Sequence, residues 1–321
     1  MKVAILSGGG DAPGTNAVIR AVVRKGVHNY GDTVIGIKDG WRGLLESEFL
    51  PLDLNAVSGI LPRGGSILGT SRTNPFKTES GPKQILKNAK TAKIDAVVAI
   101  GGDDTLNVAY KMSELGLKCV GVPKTIDNDL SGTDYTFGFN TAVSIATDAL
   151  DRVHTTAESH HRVMIMEVMG RYTGWIAIEA GLAGGADVIL IPEKPFDIDE
   201  VCEYIKRRQE RGRNFSIIVV AEGAKPKGGK EIVYGESVDE FGHIRLGGVG
   251  YFIGKEIEKC MKIETRVVVL GHIQRGGSPT AFDRILATRF GIAAIDLVHQ
   301  KKFGQMVALQ GNKIVSVLLK D

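Results

Sequence analysis

Lys118-Cys-Val-Gly-Val-Pro-Lys-Thr-Ile-Asp-Asn-Asp129 joins a short apolar run to a polar cluster. The run Lys118–Val122 reads as a strand. Pro123–Asp129 then sits at its carboxyl end, where open α/β sheets frame ligand crevices. Two carboxylates at Asp127 and Asp129, the Thr125 hydroxyl and the Lys124 ammonium suit a metal-bound phosphate meeting a sugar hydroxyl. The stretch Ile94–Asp104 has the same layout, an apolar β-branched strand ending in Gly101-Gly-Asp-Asp-Thr105 before a helix over Thr105–Glu114. Either Asp103 or Asp104 suffices to cap that helix, which leaves the other available to a Mg²⁺ that bridges phosphates.

Working outward, the strand Val3–Leu6 runs into Ser7-Gly-Gly-Gly-Asp-Ala-Pro-Gly14 and a helix over Thr15–Val27. A glycine-rich turn at a helix start leaves backbone N–H groups for an anion, although the same residues also suit a plain turn. The dinucleotide fingerprint is absent, because Pro13 occupies its third glycine position. After strand Thr33–Ile37 comes Asp39-Gly-Trp-Arg-Gly43, where Trp41 suits either packing or the flank of a ligand. Arg63 and Arg72 bracket a Gly/Ser/Thr loop, which is either a phosphate clamp or a solvated turn.

The second half repeats the alternation. A helix over Asn140–Thr156 leads to strand Val163–Glu167, the loop Met169-Gly-Arg-Tyr-Thr-Gly174 and a helix over Trp175–Ala183. Strand Asp187–Ile191, helix Asp199–Gly212 and strand Ser216–Ala221 follow, the last ending in Glu222-Gly223. Residues 224–250 read as a surface excursion or long hairpin. Helix Gly254–Met261, strand Thr265–Leu270, loop Gly271–Pro279, helix Thr280–Val298 and a strand near Met306–Leu309 complete the chain. This alternation predicts α/β architecture: two three-layer domains with mostly parallel sheets and the active site in the cleft between them. The first is expected over 1–138 plus about 274–303, the second over 139–273 plus about 304–321.

Composition excludes several classes. The chain has 321 residues with 40 basic and 37 acidic side chains interspersed, so no basic block points to nucleic acid. No apolar run approaches the ~20 residues that span a bilayer, so no membrane partner is expected. Cys119, Cys202 and Cys260 are odd in number and form no CxxC, so no disulfide framework and a reducing cytoplasm are expected. His160-His161 lacks the further spaced ligands of a zinc site.

Taken in order, Gly9–Gly14 (GGDAPG), Gly101–Asp104 (GGDD), Pro123–Asp129 (PKTIDND), Met169–Gly174 (MGRYTG) and Gly271–Gly277 (GHIQRGG) resemble the 6-phosphofructokinase family over nearly the whole chain. The resemblance implies a donor-binding first domain and a fructose 6-phosphate-binding second one. It makes Asp127 the general base toward the sugar 1-hydroxyl, with Asp103 and Asp129 positioning Mg²⁺ and the reacting groups. Thr125 and Gly10 would lie along the transferring phosphate, Gly102 would belong to the donor-binding set, and Arg72 and Arg171 would neutralise charge in the transition state. Met169, Gly170, Arg171 and Glu222 would hold the sugar, and His272 and Arg275 its 6-phosphate. Arg162 and Arg266 would complete that pocket from a neighbouring subunit, implying a homodimer or homotetramer.

Family members that use pyrophosphate resemble this chain in having Asp at Asp104 and Lys at Lys124; those that use ATP carry Gly at the first and often at the second. The physics divides the same way. An Asp side chain fills the space of a nucleotide α-phosphate, and two unit charges 4–5 Å apart repel by roughly 3–4 kcal/mol at an effective dielectric of 20. Lys124 adds a cation beside pyrophosphate and is placed to pair with Asp104; as alternatives, Asp104 is only a helix cap and Lys124 a solvated side chain. The expected reaction is reversible, Mg²⁺-dependent transfer from pyrophosphate to the 1-hydroxyl of fructose 6-phosphate, with ATP as the alternative donor and a non-catalytic regulatory subunit as the distant rival. Arg20, Arg24, Arg211, Arg213 and Asp187 could belong to an effector pocket of the bacterial relatives, but Leu54 and His154 stand where that pattern has arginine, so allosteric control is not implied.

Overall fold

The computed structural model describes residues 1–238 and 241–320. In chain order the elements are β1 (Lys2–Ser7), α1 (Thr15–Tyr30), β2 (Thr33–Ile37), α2 (Trp41–Glu46), β3 (Phe49–Leu52), α3 (Ser80–Thr91), β4 (Ala96–Gly101), α4 (Asp103–Glu114), β5 (Cys119–Thr125), β6 (Phe137–Gly138) and α5 (Phe139–His160). They continue as β7 (Val163–Val168), α6 (Trp175–Ala183), β8 (Val188–Leu190), α7 (Ile198–Glu210), β9 (Ser216–Ala221), β10 (Val233–Val238), β11 (Ile244–Leu246), α8 (Val249–Met261), β12 (Thr265–Val269), α9 (Ala281–His299), β13 (Gln305–Gln310) and β14 (Lys313–Leu318).

The first compact unit contains residues 1–140 and 275–320. Its eight-stranded sheet has the order β14-β13-β5-β4-β1-β2-β3, with β6 beside β5. The inner strands pair in parallel and the two edge pairs, β2–β3 and β13–β14, are antiparallel. Strands β1, β4 and β5 are buried along almost their whole length, as near-continuous Val/Ile/Ala runs require when both faces are covered. One apolar layer packs α1 and α9 against the sheet through Val18, Val22, Phe290 and Ile295; the other sets α3 and α4 against it through Ile85, Val108 and Met112. Gly291 lets α9 approach α1 closely, since a Cβ there would lie 2.7 Å from the Val18 carbonyl oxygen.

The second unit contains residues 141–238 and 242–274. Its sheet, β12-β7-β9-β8, is parallel throughout. Val163, Ile165, Ile218 and Val220 pack there against Val201, Ile205, Ile253 and Ile257 of α7 and α8. The excursion over 224–250 carries the antiparallel pair β10–β11.

Two expectations need correction. The second domain is expected to include about 304–321, but β13 pairs with β5 and so joins the first sheet. An isolated β13 would be an exposed edge, and β14 covers it. The expectation of no disulfide framework fails at Cys202 and Cys260, where a disulfide joins α7 to α8 across 58 residues of chain. Sequence spacing carries no information on such a contact, because it is made by two helices lying on one sheet. Cys119 alone is a free thiol among the described residues, and burial pushes its pKa up to about 12. Of the two roles open to Trp41, the structure shows packing: the side chain is buried, and its indole N–H donates to the Thr105 carbonyl at 3.2 Å.

Candidate functional site

In the first sheet β1 lies between β2 and β4, so the connections leaving β1 and β4 diverge and their carboxyl ends enclose a crevice. The glycine turn 8–14 and the Gly101-Gly102 turn both fall there. Gly8 is compelled by proximity, since a Cβ would stand 2.6 Å from Thr105 Oγ1. The Gly8 N–H donates to Ile100 O at 3.0 Å and the Gly9 N–H to Ser71 O at 2.9 Å, which brings the Arg72 loop alongside. Gly14 ends the turn in the left-handed region (φ 110°) as the N-cap of α1.

Helix α4 starts at Asp103, two residues before the expected Thr105. Gly102 is its N-cap, without any side-chain cap bond, and Asp103 and Asp104 occupy the first turn. The capping explanation of Asp104 therefore fails. A carboxylate past the N-cap has already turned with the helix and only gains from the dipole. Asp103 shares a cavity of about 340 Å³ with Asp129, Asn107, Tyr110 and Lys320.

Strand β5 extends through Thr125, so Lys124 is a strand residue and not a loop residue. Its side chain is not solvated. It is 2% exposed, and Nζ donates to Gly8 O at 2.8 Å and to Gly10 O. Burial, first, and then the Arg275 charge push its pKa down to about 7, against opposing pulls from Asp11 and Asp127; Arg72 adds to the lowering. Asp127 is buried beside it, and its N–H donates to Thr125 Oγ1 at 3.1 Å. Asn128 adopts φ 53° and accepts the Thr136 N–H at 2.8 Å, fixing the turn that carries both Asp127 and Asp129. Arg275 lies in this unit against the glycine turn: Nη1 donates to Asp11 O at 3.3 Å and stands 2.8 Å from where a Gly10 Cβ would be. Gly10, Arg72, Gly102, Asp103, Asp104, Lys124, Thr125, Asp127, Asp129 and Arg275 thus all belong to the first unit.

In the second unit Met169–Arg171 leave the carboxyl end of β7, and Glu222 leaves that of β9. Gly170 (φ 143°) and Arg171 (φ 54°) are both at positive φ, a cost for arginine that its neighbours offset. The Arg171 N–H donates to Glu222 Oε1 at 3.2 Å, and a Cβ on Gly223 would meet the Arg171 carbonyl oxygen at 1.9 Å. Gln274, fully buried, takes the Met169 N–H on Oε1 at 2.8 Å. Sequence reasoning passed over Gln274, although it lies between His272 and Arg275 in a motif already marked. His272 follows β12 and is exposed.

Arg162 and Arg266 lie elsewhere. Arg162 precedes β7 and Arg266 opens β12, so both stand at the amino end of the sheet, with Glu264 between them. The Arg162 Nε–Glu264 distance is 2.5 Å. At ~3.3 Å per strand residue, they are on the order of 20 Å from the Met169–Arg171 loop. Of the remaining basic residues, Arg211 and Arg213 line a cavity of about 410 Å³ with Tyr204, Arg207 and Arg208, and Asp187 pairs with Arg208 at 2.8 Å. His154 packs edge-on against Phe215.

Residues 2–298 match the phosphofructokinase family model. The chain belongs to the phosphofructokinase family. A relative from Streptomyces coelicolor named pyrophosphate--fructose 6-phosphate 1-phosphotransferase is 59% identical, over 100% of this chain and 94% of its own. A second protein of that organism, named ATP-dependent 6-phosphofructokinase 3, is 52% identical over the same shares. Among solved structures, the phosphofructokinase of Saccharomyces cerevisiae superposes with a TM-score of 0.87 at 34% identity, over 99% of this chain; this chain spans only 45% of the yeast one.

Two outcomes follow from these contacts. A lysine whose pKa lies near 7 is charged below that pH and neutral above it, while the unfolded chain keeps the ordinary 10.5. Folding therefore releases a proton between those values, and the contribution of Lys124 to stability rises with pH across that window. Carbon-13 NMR of lysine side chains should show one residue titrating near 7 and lost in Lys124→Met; a Lys124 midpoint near 10 contradicts the burial argument. Gly223→Ala should displace Arg171 and raise the KM for the sugar substrate by about tenfold or more, leaving the donor KM unchanged.

Proposed function

We propose that this chain transfers a phosphoryl group from pyrophosphate to the 1-hydroxyl of fructose 6-phosphate, reversibly and with Mg²⁺. The observation that carries the donor assignment is the pair formed by Asp104 in the first turn of α4 and Lys124 bound to the glycine turn. Asp104 lies past the N-cap of its helix, and Lys124 is buried away from solvent. An anionic side chain at the helix start disfavours an α-phosphate there, and the compact donor avoids that conflict. The name printed for the 59% identical relative agrees. A relative named for ATP at 52% identity keeps ATP as the second reading.

In this proposal Asp127 takes the proton of the 1-hydroxyl as its oxygen attacks the transferring phosphorus. Burial beside Lys124 orients the carboxylate and keeps water from competing. Arg72 and Arg171 balance the charge that spreads over the equatorial oxygens, and Thr125 lies along the phosphate with Gly10 and Gly102. Met169, Gly170, Arg171 and Glu222 hold the sugar, and His272 and Arg275 serve phosphate oxygens. The donor set fits Mg²⁺. Asp103 and Asp129 supply hard oxygen ligands to one cavity, and no three acidic, His or Cys side chains among the described residues form a metal cage. Mg²⁺ is ordinarily held that way, by one or two carboxylates with phosphates and waters. When bound, it would neutralise donor charge.

Arg162 and Arg266, so far along their sheet from Met169–Arg171, serve a sugar phosphate only if they belong to a second copy, which supports a homodimer or homotetramer. No helix among the described residues is long and apolar enough to cross a membrane, which is in keeping with a cytoplasmic setting. The Cys202–Cys260 disulfide pulls the other way, because reducing compartments keep thiols free.

Initial rates with fructose 6-phosphate and Mg²⁺ should favour pyrophosphate over ATP by orders of magnitude; the reverse preference would overturn the donor assignment. Asp127→Ala should lower kcat by about 10²–10⁴-fold with the fold intact by circular dichroism. Near-normal turnover would remove Asp127 as the base.

A further inference from the structure

The four consecutive carbonyls of the glycine turn are all taken by side chains. Gly8 O and Gly10 O accept from Lys124 Nζ, Gly9 O accepts from Thr70 Oγ1 at 2.5 Å, and Asp11 O accepts from Arg275 at 3.3 Å. A peptide group cannot turn its carbonyl inward without turning the next N–H outward. Among the described residues, the N–H groups of Gly10 and Asp11 have no protein acceptor, whereas those of Gly8 and Gly9 are bonded to Ile100 and Ser71. Outward N–H groups beside a helix start form a concave anion site. Glycines alone would not hold that shape, because they are the residues with most freedom to leave it.

Lys124 is the only one of these anchors that takes two carbonyls, and it does so from β5, with β4 between that strand and β1. Its stem lies in the sheet beside β4, and its ammonium is spent on main-chain oxygens, with little exposed surface left for a ligand. We propose that Lys124 is a positioning residue of the donor site: its ammonium bridges the Gly8 and Gly10 carbonyls and so fixes the turn whose N–H groups bind the donor phosphate. The inference rests on the donor reading given above and assigns the role of one residue within it. The contribution of Lys124 to donor binding then passes through the backbone, and it exists before any donor arrives.

That last point separates positioning from direct contact. Lys124→Met keeps the length and apolar stem of the side chain and removes the hydrogen bonds. Amide hydrogen exchange, followed by mass spectrometry on the donor-free protein, should become about tenfold faster in peptides covering residues 7–12, with peptides of the second unit unchanged. The KM for pyrophosphate should rise by a similar factor and the KM for fructose 6-phosphate should stay. Thr70→Val, which removes another anchor without removing charge, should change both readouts in the same direction but less. A raised donor KM with unaltered exchange in Lys124→Met would overturn the proposal in favour of a direct ligand. Faster exchange without any change in donor KM would overturn it as well, since the turn would then not matter to the donor. If Lys124→Met fails to fold, Lys124→Gln is judged by the same two readouts. Should the wild-type protein use ATP and not pyrophosphate, the donor reading fails by itself; the exchange result still decides whether Lys124 holds the turn, with ATP as the donor for the KM comparison.

Discussion

A buried ammonium must find acceptors, and at Lys124 the acceptors available are the carbonyls of a glycine turn. Much of the first unit is arranged around that requirement. Strand β5 has to run to Thr125 for the side chain to lie beside β4. Strand β1 has to end where Gly8 can meet it, and Gly8 and Gly101 must lack a Cβ because Thr105 stands against both. The same contacts explain why Arg275 is found at this turn. Its guanidinium closes the last carbonyl, at Asp11, and its charge adds to the burial that lowers the Lys124 pKa. Two basic side chains share a small volume there, with Asp11 and Asp127 opposing the lowering.

The fold was legible because parallel strands buried on both faces leave long apolar runs, and each run here ends in a glycine or acidic punctuation mark. Ala96–Gly101 and Ser216–Ala221 are examples. What escaped notice has a common physical origin: it depends on which elements meet, not on what each contains. The disulfide between α7 and α8, the pairing of β13 with β5 and the burial of Lys124 all arise from neighbours distant in sequence. The edge strand β14 and the helix α3 were missed for a weaker reason, because half-exposed edge and surface segments carry diluted patterns. At the site, residue types were readable and their states were not. Asp103 and Asp104 looked like rival caps until Gly102 took that place.

Strain and its support are visible in the second unit. Arg171 sits at φ 54°, where an arginine is uncomfortable, yet its N–H is held by Glu222, and Gly223 leaves room for its carbonyl. Such a residue persists only where the surroundings determine it. Gln274 does the same for Met169 from the loop after β12. The loops that leave β7, β9 and β12 therefore support one another at a single end of the sheet, and an anion approaching that end meets a pre-set arginine.

The opposite end of that sheet supplies the final argument. Arg162 and Arg266 flank Glu264, which neutralises part of their charge but leaves two guanidinium groups together on an exposed edge. Exposed ion pairs of this kind add little stability, so the cluster has no strong structural reason to exist. A strand length separates it from Arg171 within one copy, and side chains cannot bridge a gap on the order of 20 Å. Within one copy, then, the arginines at the two ends of this sheet cannot act together on one small anion, because the sheet itself holds them a strand length apart.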